Sequence, residues 1–366
     1  MKPANHLIAA CAIALVAIVF STAAIALDLR IATYNVELSR KGPGLLLRDI
    51  ERGKDEQIIA VLDVIAAAKP DVLALQGFDH DVESHALIAF KDALANRGHP
   101  LPYIYASAPN TGLLTGLDMD GNGKIGEARD GQGYGRFSGQ GGMAVLSRYP
   151  LGEVRDFSTF LWKNLPDAIP PKLGQAPFPS AAAFEIQRLS SVAHWDVPIL
   201  LPEMPPLHLL TFHASTPVFD GDEDRNGRRN HDEIVFWQRY LGGDLPFAPP
   251  KAPVIIAGIA NLDPADGDGR RSAIQSLLSD PRIRDPAPNR QATTFVNAPS
   301  HTGDPMHDTV DWPDPVPGDL RVSYVLPDAR LTVMGSGVVW PGPDDPMFDT
   351  VQTASRHRLV WVDLRF

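Results

Sequence analysis

A chain of 366 residues with 44% hydrophobic and 21% charged side chains has enough apolar material for a sizeable core, which excludes a low-complexity or disordered polymer. Its 33 basic and 44 acidic residues give a net charge of −11, which excludes a broad basic field for holding nucleic acid non-specifically but leaves room for a local basic groove. Proline is abundant, at 34 residues, and signals many ordered loops.

In chain order, the first element is a leader. "MKPANH" carries one lysine, "LIAACAIALVAIVF" is an apolar run of signal-peptide length, and "STAAIA" places small residues before a cut after Ala26. Residues 1–26 are therefore expected to be a signal peptide and residues 27–366 one mature domain, exported to the periplasm or beyond. A short membrane anchor is the competing reading. The only cysteine, Cys11, lies in this leader. "IAAC" loosely resembles a lipoprotein cleavage box, but the apolar run continues past it. The mature chain then has no disulfide and no membrane span, and is expected to be a monomer.

"LRIATYNV" alternates and is rich in β-branched residues, so it reads as a strand. "DEQIIAVLDVIAAAK" has helical apolar spacing and stops at Pro70. "DVLALQGF" is a buried strand, "ESHALIAFKDALANRG" a helix with Gly98 as its stop, and "GGMAVLSRYPL" a strand. A proline-rich loop covers about residues 163–180. "PLHLLTFHAS" and "APVIIAGIAN" are strands, separated by a helix in "HDEIVFWQRYL". "RRSAIQSLL" is a helix, and "LRVSYVLPD", "LTVMGSGVVW" and "HRLVWVDLRF" are late strands. No internal repeat or interdomain linker is visible. Strands often follow one another directly, which favours a layered α+β sandwich over a doubly wound sheet.

Seven segments carry a resemblance: "TYNV" (33–36), "PDVLALQGFD" (70–79), "GMAVLSRYPL" (142–151), "TFHASTP" (211–217), "GIANLDP" (258–264), "RVSYVLP" (321–327) and "SRHRLVWVDL" (355–364). Each is weak alone, but together, in this order and spacing, they resemble the endonuclease/exonuclease/phosphatase superfamily of DNase I-like nucleases, sphingomyelinases and inositol phosphatases. The resemblance covers nearly the whole mature chain, most closely exported bacterial members carrying "FDGDEDRNGRRNHDE". It implies a four-layer α/β sandwich, two packed β-sheets flanked by helices, with the site at one end. It also implies phosphodiester hydrolysis assisted by magnesium or manganese held on carboxylates, with an Asp activating water and a His stabilising the transition state.

On that frame, Asn35, His213, Asn261 and His357 match retained family residues. Each also has a purely structural reading, as a strand-end cap or a hydrogen-bonded core histidine. The acids are missing. Gly77 stands at the Glu of Gln-Glu, Ile259 at the Asp of Gly-Asp-x-Asn, Ser323 at the Asp of Arg-Val-Asp-Tyr, and Arg356 at the Asp before the last histidine. Gly141 stands where a tyrosine is expected. Ile259 offers no ligand atom, and Arg356 at 4 Å would repel a divalent ion by roughly 4 kcal/mol per unit charge pair at an effective dielectric of 20. Asp79 and Asp263 are the nearest candidates for relocated ligands. Alternatively, Arg356 itself supplies a cation that grips a phosphate bidentately beside His213 and His357.

Two loops have calcium-loop spacing. "DEDRNGRRNHDE" places Asp222, Asp224, Asn226, the Arg228 carbonyl, Asn230 and Glu233 at the ligand positions. "DMDGNGKI" places Asp118, Asp120, Asn122 and the Lys124 carbonyl likewise; Arg129 falls at the twelfth position, leaving Glu127 or Asp130 to serve. Both are expected to hold structural calcium, against a reading as polar surface loops. The segment "RNGRRN" has a further reading, as a mixed-charge rim over the cleft.

Three functions follow from the sequence. The first is a family member with lost or strongly reduced metal-dependent hydrolysis, kept as a binding protein for a phosphate-containing small molecule or phosphodiester. The second is an active exported phosphodiesterase or nuclease with relocated ligands, although the acidic charge disfavours general nucleic-acid binding. The third is a calcium-stabilised extracellular binding protein.

Overall fold

The computed structural model describes residues 27–292 and 298–366. The expected leader, with Cys11, lies outside the described residues. In chain order the elements begin with β1 (Asp28–Leu38), α1 (Leu45–Arg52), α2 (Glu56–Ala68), β2 (Val72–Phe78), α3 (His85–Ala95) and β3 (Tyr103–Tyr105). They continue with β4 (Gly142–Ser147), β5 (Arg155–Asp156), β6 (Lys172–Leu173), β7 (Ala176–Pro177) and α4 (Ala181–Ile186). Then come β8 (His194–Ile199), β9 (Leu207–His213), α5 (Arg225–Gly242), β10 (Val254–Ile259) and α6 (Ser272–Leu278). The chain closes with β11 (Ser323–Pro327), β12 (Thr332–Val338), α7 (Phe348–Ala354) and β13 (Val360–Arg365).

Strands β2, β4 and β10 are buried at every position, because both faces of their sheets are covered. One sheet has six strands in the order β12-β13-β1-β2-β4-β3, and the other five in the order β11-β10-β9-β8-β5. The inner faces meet in one core that includes Ile31, Val72, Val145, Trp195, Leu209, Ala257 and Val362. Helices α1, α2, α3 and α7 cover the outer face of the first sheet, where Ile50, Ile65, Phe90 and Val351 belong to one apolar cluster. Helices α5 and α6 cover the second, through Phe236, Trp237, Ile274 and Leu277. The result is the expected four-layer α+β sandwich. Each buried Leu, Ile or Val side chain contributes roughly 1.5–3 kcal/mol towards offsetting chain entropy.

The main strands and helices lie where the apolar patterns put them. Others carried little pattern. Helix α1 has only eight residues and is bracketed by Gly44 and Gly53, both left-handed. Strand β8, "HWDVPI", contains Asp196 and Pro198, which argue against a strand. Asp196 is tolerated because the Tyr240 hydroxyl donates to it at 2.7 Å and His208 Nδ1 lies 2.5 Å away. Helix α5 begins at Arg225, six residues before the predicted start.

Two parallel pairs, β1–β2 and β9–β10, determine where polar residues gather. Asn35 and Gln76 pair near one end of the first sheet, and His213 and Ile259 pair at the end of the second. The sheets pack across each other through β1, β10 and β11, so these ends face a common region.

Candidate functional site

His213, Ile259 and Ser323 are cross-strand partners on β9, β10 and β11, and so lie side by side on one face. Ile259 is fully buried and packs with Val310, Leu320, Val322 and Trp312. Val310 bridges to both Leu320 and His357, and the Trp312 ring meets His357 edge-on with centroids 5.9 Å apart. An apolar patch thus occupies the centre of this strand end. His213 Nδ1, His357 Nδ1 and Ser323 Oγ are buried with no hydrogen-bond partner among the described residues. Burial pushes His213 down to about 3, with His357 adding to the effect. Burial also pushes His357 down to about 4, with Glu37 opposing and Arg356 and Arg358 adding. Both imidazoles are therefore neutral at neutral pH.

The other polar side chains there are held tightly. Asn35 Oδ1 accepts from the Glu37 amide at 3.2 Å, and Asn261 Nδ2 donates to the Ala214 carbonyl at 2.8 Å. Gln76 accepts from the Thr33 hydroxyl at 3.0 Å. A carboxylate that the sequence reading missed, Glu37, stands at this end of β1. Its backbone is left-handed, at φ 48°. Glu37 accepts from the Arg356 amide at 2.8 Å and from Arg356 Nε at 3.0 Å, and also meets Arg356 Nη2. Ser355 Oγ lies 3.0 Å from the same carboxylate. Burial pushes the Glu37 carboxyl up, but the Arg356 hydrogen bonds, the nearby His357 and the Arg356 charge leave it below its usual value.

Residues 32–357 match the profile of the endonuclease/exonuclease/phosphatase family. The chain belongs to that family. Solved structures show the same fold. A family member from Beutenbergia cavernae is similar at 19% identity with a TM-score of 0.56, over 93% of this chain and 72% of that one. Another from Leptotrichia buccalis is similar at 17% identity and 0.51, over 92% of this chain and 100% of that one. Comparison with curated protein sequences finds no match.

The family depends on divalent metal, but the residues of this family member do not fit such an ion at the matched positions. Gly77 has φ 69°, and a Cβ there would lie 2.3 Å from Asn35 Oδ1, so an acid cannot be added without moving its neighbour. Gly141, at φ 59°, likewise has backbone that disfavours the expected tyrosine. Ile259 is apolar, and Glu37 is paired with Arg356. The two candidates for relocated ligands are each engaged by backbone amides. Asp79 accepts from the Arg40 and Gly141 amides at 2.7 and 2.8 Å. Asp263 accepts from the amides of Ala265, Asp266 and Arg321. Arg356 turns the Nε–Nη2 edge of its fork to Glu37, so the bidentate phosphate grip expected of it has only the Nη1 side to use.

The calcium loop expected from Asp222 to Glu233 is not formed, because helix α5 starts inside it. Helical backbone from Arg225 onward cannot wrap around an ion as a twelve-residue loop does. Asp224 instead pairs with Arg270, with Nε donating at 2.7 Å, and Asn226 Nδ2 donates to the Val218 carbonyl at 2.7 Å. Arg228 donates to the Glu223 carbonyl, and Asp222 stays outside the helix, on the exposed turn before it. Asn230 donates to the Ser215 and Ala260 carbonyls. Glu233 is fully buried and accepts from the Ser191 amide and from the amide and hydroxyl of Ser215, at 2.5, 2.6 and 2.7 Å. In the other loop, one carboxylate oxygen each of Asp118, Asp120 and Asp130 converges within 4.8 Å. Asn122 and Lys124 belong to the same turn, where the Lys124 amide donates to Asn122 Oδ1 at 2.8 Å.

Beside His213 lies a cavity of about 620 Å³, walled by the 111–141 segment and by the 213–229 segment. Arg129, Arg225, Arg229, Tyr134 and Phe219 line it. Of these, only the arginines of α5 were foreshadowed, by the "RNGRRN" rim reading. Among the described residues no helix is long and apolar enough to cross a membrane.

Proposed function

We propose that this family member has lost metal-dependent phosphodiester hydrolysis and keeps the cleft as a binding site for a phosphorylated ligand. One observation carries the reading: the four matched acid positions hold Gly77, buried Ile259, Ser323 and Arg356, and Arg356 pairs with Glu37. Neutral His213 and His357 remain able to hydrogen-bond a ligand but have no metal-bound phosphate to serve. The test measures hydrolysis of DNA and of bis(4-nitrophenyl) phosphate with Mg²⁺, Mn²⁺ and Ca²⁺ in turn. Background rates in all three support the proposal, and robust metal-dependent turnover by the unaltered chain overturns it.

Two accessory proposals follow. The leader directs export and is removed after Ala26, which N-terminal sequencing of the mature protein checks. The Asp118–Asp120–Asp130 group holds a structural calcium ion that pins its loop. Chelator lowers the melting temperature if so, and an unchanged melt rejects it.

A further inference from the structure

The cavity beside His213 has an unusual electrostatic lining for this chain. Acids outnumber bases in the whole sequence, 44 to 33. Among the described residues lining the cavity, however, there are three arginines and no carboxylate. Arg229 is buried, hydrogen-bonds to the carbonyls of Leu189, Gln132, Arg188 and Ser190, and is also acted on by the charge of Glu233, one helical turn on. Burial pushes it down to about 10, which leaves it charged at neutral pH. Arg225 donates to the Met119 carbonyl. Arg129 touches Asp120 only at 3.7 Å, with 60% of its side chain exposed. The first turn of the eighteen-residue helix α5 also reaches the cavity through Arg225 and Asn226, with the Asn226 amide itself donating to Asp220 at 2.5 Å. The same walls present two exposed rings, Tyr134 at 61% and Phe219 at 84% exposure. Phe219 is held with left-handed backbone, φ 70°, a conformation that costs a bulky residue energy.

We propose that this cavity is a metal-independent receptor site for a ring-bearing organic anion, with its negative group against Arg129, Arg225 and His213 and its ring against Tyr134 and Phe219. The chemistry is charge-assisted hydrogen bonding plus ring stacking. The volume is that of an ordinary small-molecule site. With no carboxylate on the lining itself, no bridging cation is needed, while Asp120, Asp220 and Glu223 act on Arg225 from outside the lining. The proposal deepens the binding-cleft reading and rests on it, and it names the ligand's chemical class and the residues that select it.

Titration calorimetry of the full mature chain, in calcium-containing buffer free of magnesium and manganese so that the Asp118 loop stays as it is, tests it with 1-naphthyl phosphate, 1-naphthoate, 1-naphthol and inorganic phosphate as probes. At least one of the two naphthyl anions binds, and the neutral naphthol and ringless phosphate bind roughly tenfold more weakly or not at all. Preference between phosphate and carboxylate identifies the anionic group, and either preference supports the site. Arg129→Ala and Tyr134→Ala, both at exposed side chains, each weaken binding by roughly fivefold to tenfold, and Arg129→Lys restores part of it. A melting curve for each variant confirms folding. Binding of no probe, binding only with added magnesium or manganese, or binding unaffected by both alanine variants overturns the proposal. None of those outcomes bears on the hydrolysis assays, so the two readings fail separately.

Discussion

At Gly77 the backbone itself forbids restoration of an acid. With φ 69° and a Cβ placed 2.3 Å from Asn35 Oδ1, Gly77→Glu must shift Asn35 or distort the bulge in β2. Gly77→Glu and Gly77→Ala should each lose roughly 1–3 kcal/mol in urea unfolding, which shows the cost to be steric and conformational rather than electrostatic. Ile259 poses a different obstacle. Fully buried against Val310 and Val322, it would make Ile259→Asp an unpaired buried charge, costing roughly 3–5 kcal/mol at neutral pH by the same measurement. The ion pair Glu37–Arg356 is half open, since 62% of the Arg356 side chain is exposed. A double-mutant cycle on Glu37→Gln and Arg356→Ala should return a coupling of only about 1 kcal/mol, reduced by salt. Glu37 could not be singled out beforehand, because its partner lies 319 residues away and no local pattern links them.

Among the elements, α5 changed the reading most. The twelve residues from Asp222 satisfy a calcium-loop spacing, yet nine of them, Arg225 to Glu233, lie in the helix. The same residues satisfy a helix better because Glu233, Asn230 and Arg229 find backbone partners in the segments just before β8 and just after β9 and β10, and at Gln132. Glu233→Ala removes the acceptor for three donors and should cost roughly 2–4 kcal/mol, equally with and without calcium in thermal melts. A calcium-dependent difference would restore the loop reading. Strand β8 and helices α1 and α7 were not legible for the opposite reason. They are short, and their stability comes from neighbours rather than from their own periodicity.

Across the whole molecule, buried titratable groups set opposing pH limits. Burial lowers His194 and His357 to about 4 and His213 to about 3, against the usual 6.5. Unfolding frees each to take a proton below about 6.5, so stability falls as pH drops from there towards 4. Asp308 has the reverse sign. Burial raises it to about 8, Arg290 opposes, and Asp263, Asp319 and Asp266 add to the rise. Asp319 rises to about 6 by burial, with Arg290 opposing and Asp311 and Asp314 adding. The folded chain keeps these protons after the unfolded chain has lost them, so stability also falls as pH climbs from about 4 towards 8. Asp308→Asn should raise the melting temperature more at pH 8 than at pH 5. An equal shift at both would contradict the assignment.

The main strands and helices and a layered α+β sandwich could be read from the chain's own patterns, and its resemblance to the family implied the four layers and the four missing acids. Strand alternation, helical spacing and residue identity are local properties. Which of those positions could still accept an acid, where Glu37 goes, and what the "RNGRRN" segment forms were decided only by tertiary structure. Those outcomes depend on a backbone angle at Gly77, on a carboxylate and an arginine meeting from opposite ends of the chain, and on the Ser191 and Ser215 amides, beside β8 and β9, reaching helix α5. Contacts of that kind leave no periodic trace in the residues that make them.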